Sequence, residues 1–303
     1  MNYSEDIKKG IEFIESRIQG EITARMVADH VGYSLYHYCR VFLACQGVPL
    51  MEYIRKRRLS LAAQEISGGG KVINAALNFG FETPSGFSKA FRREFGFTPT
   101  QYAKGMREVR KNINSHNLGK TGGLIMNPVI MQKGKIKVAG YAIKTTISGA
   151  KQTKDVAALW DQFNADGWES RLYDQLKPPK HGEVGIFVPC GGDEVSYVLG
   201  VIVENFDAVT DDMVCVEIPE ATYAVFTTPP VDGTGENADM VDFPKAIKET
   251  WRYVFEEWFK DSEYEYDQEK MDFEYYDERC HGRPDTVMDI YVPITKSSKE
   301  MRG

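Results

Sequence analysis

Residues 27–33 read V-A-D-H-V-G-Y and residues 75–81 read A-A-L-N-F-G-F, so both stretches end in an apolar residue, a glycine and an aromatic residue. The same order of aromatic, basic, Phe, Gly and Tyr then follows each stretch, at Tyr38, Arg40, Phe42, Gly47 and Tyr53 and again at Phe87, Lys89, Phe91, Gly96 and Tyr102. A short helix, a turn containing Gly and a second helix are typical of a helix-turn-helix motif. The repeat therefore predicts two such motifs in one chain, which indicates sequence-specific binding of double-stranded DNA.

Length and composition narrow the class of protein. A chain of 303 residues is long enough for two domains, and no apolar run reaches membrane-spanning length. Because the first residues lack a basic and then apolar character, we expect no export signal and no membrane partner. The five cysteines are scattered without a C-x-x-C pair, which argues against a disulfide framework or a metal site and favours a cytoplasmic location.

The net charge of −7 hides an asymmetry along the chain. Residues 1–120 hold 18 Lys and Arg against 11 Asp and Glu, a net charge of +7, and the remaining residues carry a net charge of −14. The N-terminal part would attract the phosphates of DNA, whereas the C-terminal part would repel them. This change of sign marks a domain boundary.

The periodicity of the N-terminal part predicts helices around the two motifs. Residues 50–66 form an uninterrupted helical stretch that would join the motifs over roughly 25 Å. Residues 108–127 are polar and rich in Asn and Gly, as is typical of a linker. An amphipathic opening helix is predicted from isoleucines at helical spacing, namely Ile7, Ile11, Ile14 and Ile18.

The C-terminal part has an α+β pattern that repeats. Strand, helix, strand and strand are predicted at 135–147, 155–176, 184–188 and 197–204, and again at 214–227, 243–259, 273–276 and 287–293. The fold class is therefore multidomain. An all-α DNA-binding domain (1–108) and a linker (109–127) precede an α+β effector domain (128–303) with pseudo-twofold strand-helix-strand-strand modules.

The doubled motif resembles the AraC/XylS family of transcription regulators. The resemblance covers roughly residues 4–107 and rests on Gly32-Tyr33-Ser34, Arg40-Val41-Phe42, Gly80-Phe81 and the run from Phe91 to Tyr102. The second half resembles the gyrase-inhibitor-like effector domain of Rob-type regulators, through Val138-Ala139-Gly140, Phe273-Glu274 and Ile290-Tyr291-Val292-Pro293. The resemblance implies an activator with promoter DNA, RNA polymerase and a small-molecule effector as partners, and no cofactor.

The first recognition helix is expected to turn one face toward DNA. Residues three and four apart share a face, so Leu35, Tyr38, Val41 and Phe42 should pack inward. Tyr36, Cys39 and Arg40 would then face outward, where the resemblance places base contacts, and Arg40 can donate two hydrogen bonds to guanine. Related regulators often carry Trp and Gln where this chain has Tyr36 and Cys39, so the operator is expected to differ.

Weaker DNA contacts are predicted in the second motif and the connector. The second recognition helix begins at Pro84, and its N-terminus favours a phosphate. This motif would either read bases or only grip the backbone, with Ser85, Ser88 and Lys89 as its contacts. Arg55 begins the run R-K-R-R on the connecting helix, from which at most two side chains would reach DNA and the rest would be solvated.

The effector pocket is predicted around Glu274. Strand alternation places Glu274 and Tyr276 on one face, and a carboxylate among aromatic rings would suit a hydrophobic cation. The resemblance implies a lining of Glu274, Tyr276, Tyr291, Tyr197, Trp160, Phe163 and Trp251. Two alternatives remain open: a small-molecule hydrolase that uses a pocket Glu, although we find no catalytic cluster, and an architectural DNA-binding protein without a ligand.

Overall fold

The computed structural model describes residues 2–103, 126, 128–234, 243–280 and 283–297. Its N-terminal part contains α1 (Tyr3–Ser16), α2 (Ala24–Val31), α3 (Leu35–Gln46), α4 (Leu50–Ser67), α5 (Val72–Asn78) and α6 (Pro84–Phe95). The helix pairs α2–α3 and α5–α6 are the two helix-turn-helix motifs, and α4 joins them. The repeated glycines Gly32 and Gly80 have φ angles of 86° and 74°, a backbone conformation that glycine adopts without steric cost.

Side-chain caps fix where the helices of the motifs begin. Thr23 accepts a hydrogen bond from the Met26 amide, and the hydroxyls of Ser34 and Thr83 do the same at the N-termini of α3 and α6. The predicted opening helix and the connecting helix are both present. Except for Met126, the predicted linker lies outside the described residues.

The C-terminal part is built on one antiparallel sheet. Its strands are β1 (Val129–Lys133), β2 (Ile136–Thr146), β3 (Glu183–Gly191), β4 (Glu194–Val203), β5 (Val214–Ile218), β6 (Ala221–Thr227), β7 (Tyr264–Tyr266), β8 (Phe273–Tyr276) and β9 (Asp289–Lys296). Its helices are α7 (Lys151–Ala165), α8 (Trp168–Leu176) and α9 (Phe243–Tyr253), and α9 continues into a π-helical turn, Val254–Trp258. Among the described helices, none is both long and apolar enough to cross a membrane.

The strand order confirms the predicted pseudo-twofold repeat. Among the described residues the order is β1-β6-β9-β8-β3-β4-β2-β5, and β7 pairs with β9. The modules β2-α7-α8-β3-β4 and β6-α9-β8-β9 therefore lie symmetrically about the β8–β3 pair. The edge strands are exchanged, because β1 pairs with β6 of the second module and β5 pairs with β2 of the first.

Three predicted elements differ in the structure. The single strand predicted at 214–227 is divided into β5 and β6, because Pro219 has no amide hydrogen to donate to a ladder. The single helix predicted at 155–176 is divided into α7 and α8 at Gly167, whose φ is 65°. The alternating acidic residues from 261 to 269 predict a solvated loop, whereas the structure has the short strand β7 there.

The apolar clusters of buried side chains do not follow the boundary between the two predicted domains. One apolar cluster runs without interruption from α1, with Tyr3, and the first motif, with Tyr38, into the helix-covered face of the sheet, with Phe255. The second motif has a cluster of its own around Phe87 and Phe91. A further cluster lies on the opposite face of the sheet. The first motif is thus packed against the C-terminal domain, whereas the second motif is not part of that core.

Close approach of β2 and β4 depends on two glycines. Gly140 pairs with Gly200, and a Cβ added to Gly140 would lie 2.2 Å from the backbone oxygen of Leu199. We therefore expect Gly140→Ala to lower the free energy of unfolding by about 3 kcal/mol, because backbone atoms cannot move aside cheaply. Urea unfolding measures this loss. Gly134→Ala is the control, since its Cβ would enter open space, and an equal loss in both variants would contradict the argument.

Candidate functional site

Glu274 lies at the centre of a group of aromatic side chains between the helices and the sheet. The indole nitrogen of Trp251 on α9 donates to one carboxylate oxygen of Glu274 at 2.9 Å. The hydroxyl of Tyr276 donates to the other oxygen at 2.8 Å. Trp160 on α7 packs against Tyr276 with ring centroids 4.7 Å apart. The alternation predicted for β8 is therefore present, and both helices of the repeat contribute a tryptophan.

The other predicted lining residues are divided by the structure. Trp160 also donates to the hydroxyl of Tyr197, and Phe163 packs against Trp160, so both belong to this group. Tyr291 does not. It pairs with Phe273 across β8 and β9, stacks on that ring at 4.4 Å and packs on the opposite face of the sheet. The prediction for Tyr291 is wrong because cross-strand neighbours share a face, and the neighbour of Glu274 on β9 is Ile290.

A second carboxylate, missed by the sequence analysis, lies beside Glu274. Asp272 is 2% exposed, and one of its oxygens accepts a hydrogen bond from the hydroxyl of Tyr266 at 2.6 Å. Its other oxygen accepts from Nη2 of Arg40 at 2.8 Å. A signal for Asp272 was present in the sequence, because it lies two residues before Glu274, the spacing at which strand residues share a face.

Arg40 of the first recognition helix is bound inside this group. Its side chain is 11% exposed, and its guanidinium carbon lies 4.5 Å from the ring centroid of Trp251 and 5.3 Å from that of Phe187. Burial is the largest single influence and lowers the pKa of Arg40, but Asp272, together with smaller contributions from Tyr36, Glu274 and Tyr266, outweighs it and raises that pKa above its ordinary value. The site therefore holds a cation against the Asp272 carboxylate and two aromatic faces, with the charge of Glu274 near enough to act on it.

In this structure the C-terminal domain covers the face of α3 that was predicted to point outward, and Tyr36, Cys39 and Arg40 as DNA contacts stay predictions. Tyr36 is partly buried, Cys39 is 1% exposed and Arg40 is paired with Asp272. Burial raises the pKa of the Cys39 thiol to about 12, which does not favour a reactive thiolate. The face is covered because the ring of His37 packs on those of Phe255 and Tyr266 in the C-terminal domain, and Arg40 pairs with Asp272 there. The inward packing predicted for this helix is confirmed at Leu35, Tyr38, Val41 and Phe42.

His37 is also enclosed by this contact. Its ring lies 4.3 Å from that of Tyr266, and its Nε2 is 3.1 Å from the hydroxyl of Tyr3. Burial, aided by the positive charge of Arg40, lowers the pKa of His37 to about 3. His37 is thus neutral at pH 7 and contributes packing rather than charge.

The second recognition helix differs from the first because its outer face is open. On α6, Ser85 and Lys89 are exposed and Ser88 is partly buried, as a DNA-facing surface requires. Arg92 and Arg93 in the last turn are also exposed, and they add to the positive charge of this face. Ser85, Ser88 and Lys89 as DNA contacts stay predictions.

The basic run on α4 is paired within the protein. Arg55 binds Glu52 and lies 3.8 Å from Glu94 of α6, and it is 24% exposed. Arg57 pairs with Glu15 at 2.7 Å. Arg55 therefore joins the connector to the second motif in this structure, because neighbouring helices supply carboxylates for these side chains. Arg55 as a DNA contact stays a prediction.

One group of side chains has the spacing of a metal site. The ligand atoms of Glu169, His181 and Glu183 lie within 4.8 Å of one another. Tyr173 donates to Glu183 at 2.8 Å, and its ring is stacked 5.0 Å from that of His181. Hydrogen bonding and stacking account for this arrangement among the residues that the structure describes.

Comparisons with known proteins assign each half separately. Residues 129–294 match the family model described as integron-associated effector binding protein, and residues 27–105 match a helix-turn-helix domain. The transcriptional activator AarP of Providencia stuartii is 39% identical over 90 residues, which are 28% of this chain and 67% of AarP. Regulatory protein SoxS of Salmonella typhimurium is 36% identical over 103 residues, which are 34% of this chain and 96% of SoxS.

Solved structures give a weaker similarity. The structure of SAV2435 bound to tetraphenylphosphonium aligns with 56% of this chain and 94% of its own, at 16% sequence identity and a TM-score of 0.47. Similarity at this level does not bear on function. The family assignment rests on the two family models and on the sequence relatives.

Proposed function

The chain belongs to the AraC/XylS family of transcription regulators, and we propose that it is an activator whose DNA binding responds to a small hydrophobic cation. Its helix-turn-helix domain and its effector-binding domain are each matched by a family model. The observation that supports the proposal is the presence of two carboxylates among aromatic rings, of which Asp272 is already paired with a guanidinium and Glu274 accepts from Trp251 and Tyr276.

The chemistry of the site selects for positive charge. Buried carboxylates are stable when they are paired and hydrogen-bonded, so a neutral ligand that displaced the guanidinium would leave Asp272 without a counter-charge. A cation over the face of Trp251 gains a further ~0.5–2 kcal/mol from the ring quadrupole. A flat or branched aromatic cation would replace both the charge and the apolar contacts.

The arrangement of Glu274 supports a binding role over the hydrolase alternative. Both of its carboxylate oxygens accept hydrogen bonds, one from Trp251 and one from Tyr276. These two hydrogen bonds fix the orientation of the carboxylate and occupy one acceptor position on each oxygen. The geometry of Glu274 is that of a fixed counter-charge.

On the DNA side, the exposed face of α6 would contact phosphates or base edges through Ser85 and Lys89. Arg40 on α3 would donate to guanine when it is not bound to Asp272, and Tyr36 and Cys39 lie on the same part of that helix. We also propose that the protein activates transcription through RNA polymerase. The relative AarP, which is named a transcriptional activator, supports this part of the proposal.

The first test compares two ions of the same shape and opposite charge. Tetraphenylphosphonium should bind the full chain in calorimetry, whereas tetraphenylborate should not. Glu274→Gln keeps the shape of the side chain and removes its charge, so it should weaken binding of the phosphonium about tenfold, equivalent to roughly 1.4 kcal/mol.

Glu278→Gln is the matched control, because Glu278 is exposed close to the end of the same strand. Its affinity for the phosphonium should equal that of the wild type. Equal affinities for the wild type and Glu274→Gln would remove Glu274 from the site, and binding of the borate as tightly as the phosphonium would contradict the selection for a cation.

A further inference from the structure

The side chain of Arg40 on α3 occupies the effector site as a bound ligand would. Arg40 supplies a planar cation that pairs with Asp272 at 2.8 Å and lies over the ring of Trp251 at 4.5 Å. Glu274 is near enough to raise the pKa of Arg40 as well. These are the same groups that the proposed function assigns to an external cation, so the chain itself occupies its own site.

Several contacts beyond Arg40 hold the first motif in this position. The ring of Tyr3 on α1 lies 5.2 Å from that of Phe255 in the π-helical turn. The amide of Met51 at the start of α4 donates to the carbonyl of Ser148 at 3.1 Å. The contact is therefore a docked surface that includes α1, α3 and the start of α4, and the second motif takes no part in its apolar core.

We propose that Arg40 is an internal ligand: the effector and Arg40 compete for one site, and effector binding releases the first recognition helix for DNA. This inference rests on the proposed function, because it names the regulation of that site. Arg40 cannot pair with Asp272 and donate to a base at the same time. A helix face covered by the C-terminal domain cannot enter a major groove either, so docking and reading of DNA by α3 exclude each other.

Some buried polar atoms at the docked contact lack hydrogen-bond partners, which favours a contact that can be reversed. Nε of Arg40 and Nδ1 of His37 are buried without a hydrogen-bond partner among the described residues. A buried donor left unpaired costs ~1–3 kcal/mol, and undocking returns both atoms to water. An external cation that supplies the charge for Asp272 therefore replaces a contact that carries its own penalty.

The two motifs would then have different roles in DNA binding. The second motif has its own core and an open outer face on α6, so it can contact DNA whether or not the first is docked. Without effector the protein would hold DNA through one motif, and with effector through two. Because coupling between two sites is reciprocal, DNA that engages α3 should also tighten binding of the cation.

Removal of the internal competitor tests the proposal. Arg40→Ala in the full chain should bind tetraphenylphosphonium at least tenfold more tightly than the wild type, because a competent state that is populated at one tenth reduces the apparent affinity tenfold. Arg57→Ala is the control, since Arg57 pairs with Glu15 away from the site. An affinity for Arg40→Ala equal to or weaker than that of the wild type would overturn the competition.

A second measurement uses the unaltered chain. Cys39 on α3 is 1% exposed, and its pKa is raised mainly by burial and further by the carboxylate of Asp193 in the C-terminal domain. Saturating tetraphenylphosphonium should increase the rate of Cys39 alkylation by iodoacetamide at least tenfold, as followed by peptide mass spectrometry. Cys280, which is buried within the C-terminal domain, is the internal reference and should keep its rate.

The two experiments separate this inference from the proposed function. Phosphonium binding that leaves the Cys39 rate unchanged, with Arg40→Ala no tighter than the wild type, overturns the internal-ligand inference and leaves the effector site standing. Absence of phosphonium binding to both the wild type and Arg40→Ala overturns the proposed function and, with it, this inference.

Discussion

Asp272→Asn in the full chain should raise the alkylation rate of Cys39 by about a hundredfold, because it leaves the guanidinium of Arg40 buried without its counter-charge. Removal of one partner from a buried ion pair costs about 3–5 kcal/mol, and 1.4 kcal/mol corresponds to a factor of ten. We expect the lower part of this range, since the amide oxygen of Asn can still accept one hydrogen bond. The first motif then undocks rather than bury the lone charge.

Asp277→Asn is the matched control for this variant. Asp277 follows β8 closely, and its carboxylate pairs with Arg279 at 2.9 Å within the C-terminal domain. It should leave the Cys39 rate unchanged, and circular dichroism should show that both variants stay folded. If Asp272→Asn and Asp277→Asn gave the same Cys39 rate, the Arg40–Asp272 pair would not hold the first motif in place.

Binding of the full chain to DNA should weaken roughly a thousandfold between about 50 and 200 mM salt, which is the loss expected for about six phosphate contacts. The net charge of +7 on residues 1–120, with the exposed Lys89, Arg92 and Arg93 on α6, is the basis of this expectation. Fluorescence anisotropy with a duplex selected by the protein from a random library measures it. A fragment of residues 128–303, where acidic residues dominate, should not bind.

Lys89→Ala refines this test. It should reduce the slope of log affinity against log salt by about one, because one phosphate contact is lost. The exposed Lys8 on α1 serves as the control, and Lys8→Ala should leave the slope unchanged. Comparable DNA binding by residues 128–303 would show that the N-terminal domain is not the DNA-binding part.

The helix-turn-helix repeat could be predicted from the sequence because it depends on interactions between residues close together in the chain. Thr23, Ser34 and Thr83 cap helices through hydrogen bonds that span three residues, and Gly32 and Gly80 turn the chain where other residues would be strained. Each of these signals acts within one turn of helix. The two motifs and their connector were therefore predicted close to their observed bounds.

The effector site was only partly predictable, because strand alternation is local and strand register is not. Alternation placed Glu274 and Tyr276 on one face, as the structure has them. Which residue of β9 faces Glu274 depends on pairing between distant segments, and this register turned Tyr291 to the other face. Asp272 lay within reach of the same alternation and was missed because it precedes the strand.

The sequence by itself determined the two recognition helices, their caps and the side chains that each helix offers. It could not determine what Arg40 binds, because a guanidinium pairs equally well with a guanine edge, a phosphate or a carboxylate. Only the tertiary structure brings Asp272, Trp251 and Phe187 around Arg40, from elements that lie about 150 to 230 residues away along the chain. An aromatic helix face is covered by whichever apolar surface the fold presents to it, and here that surface is the effector domain.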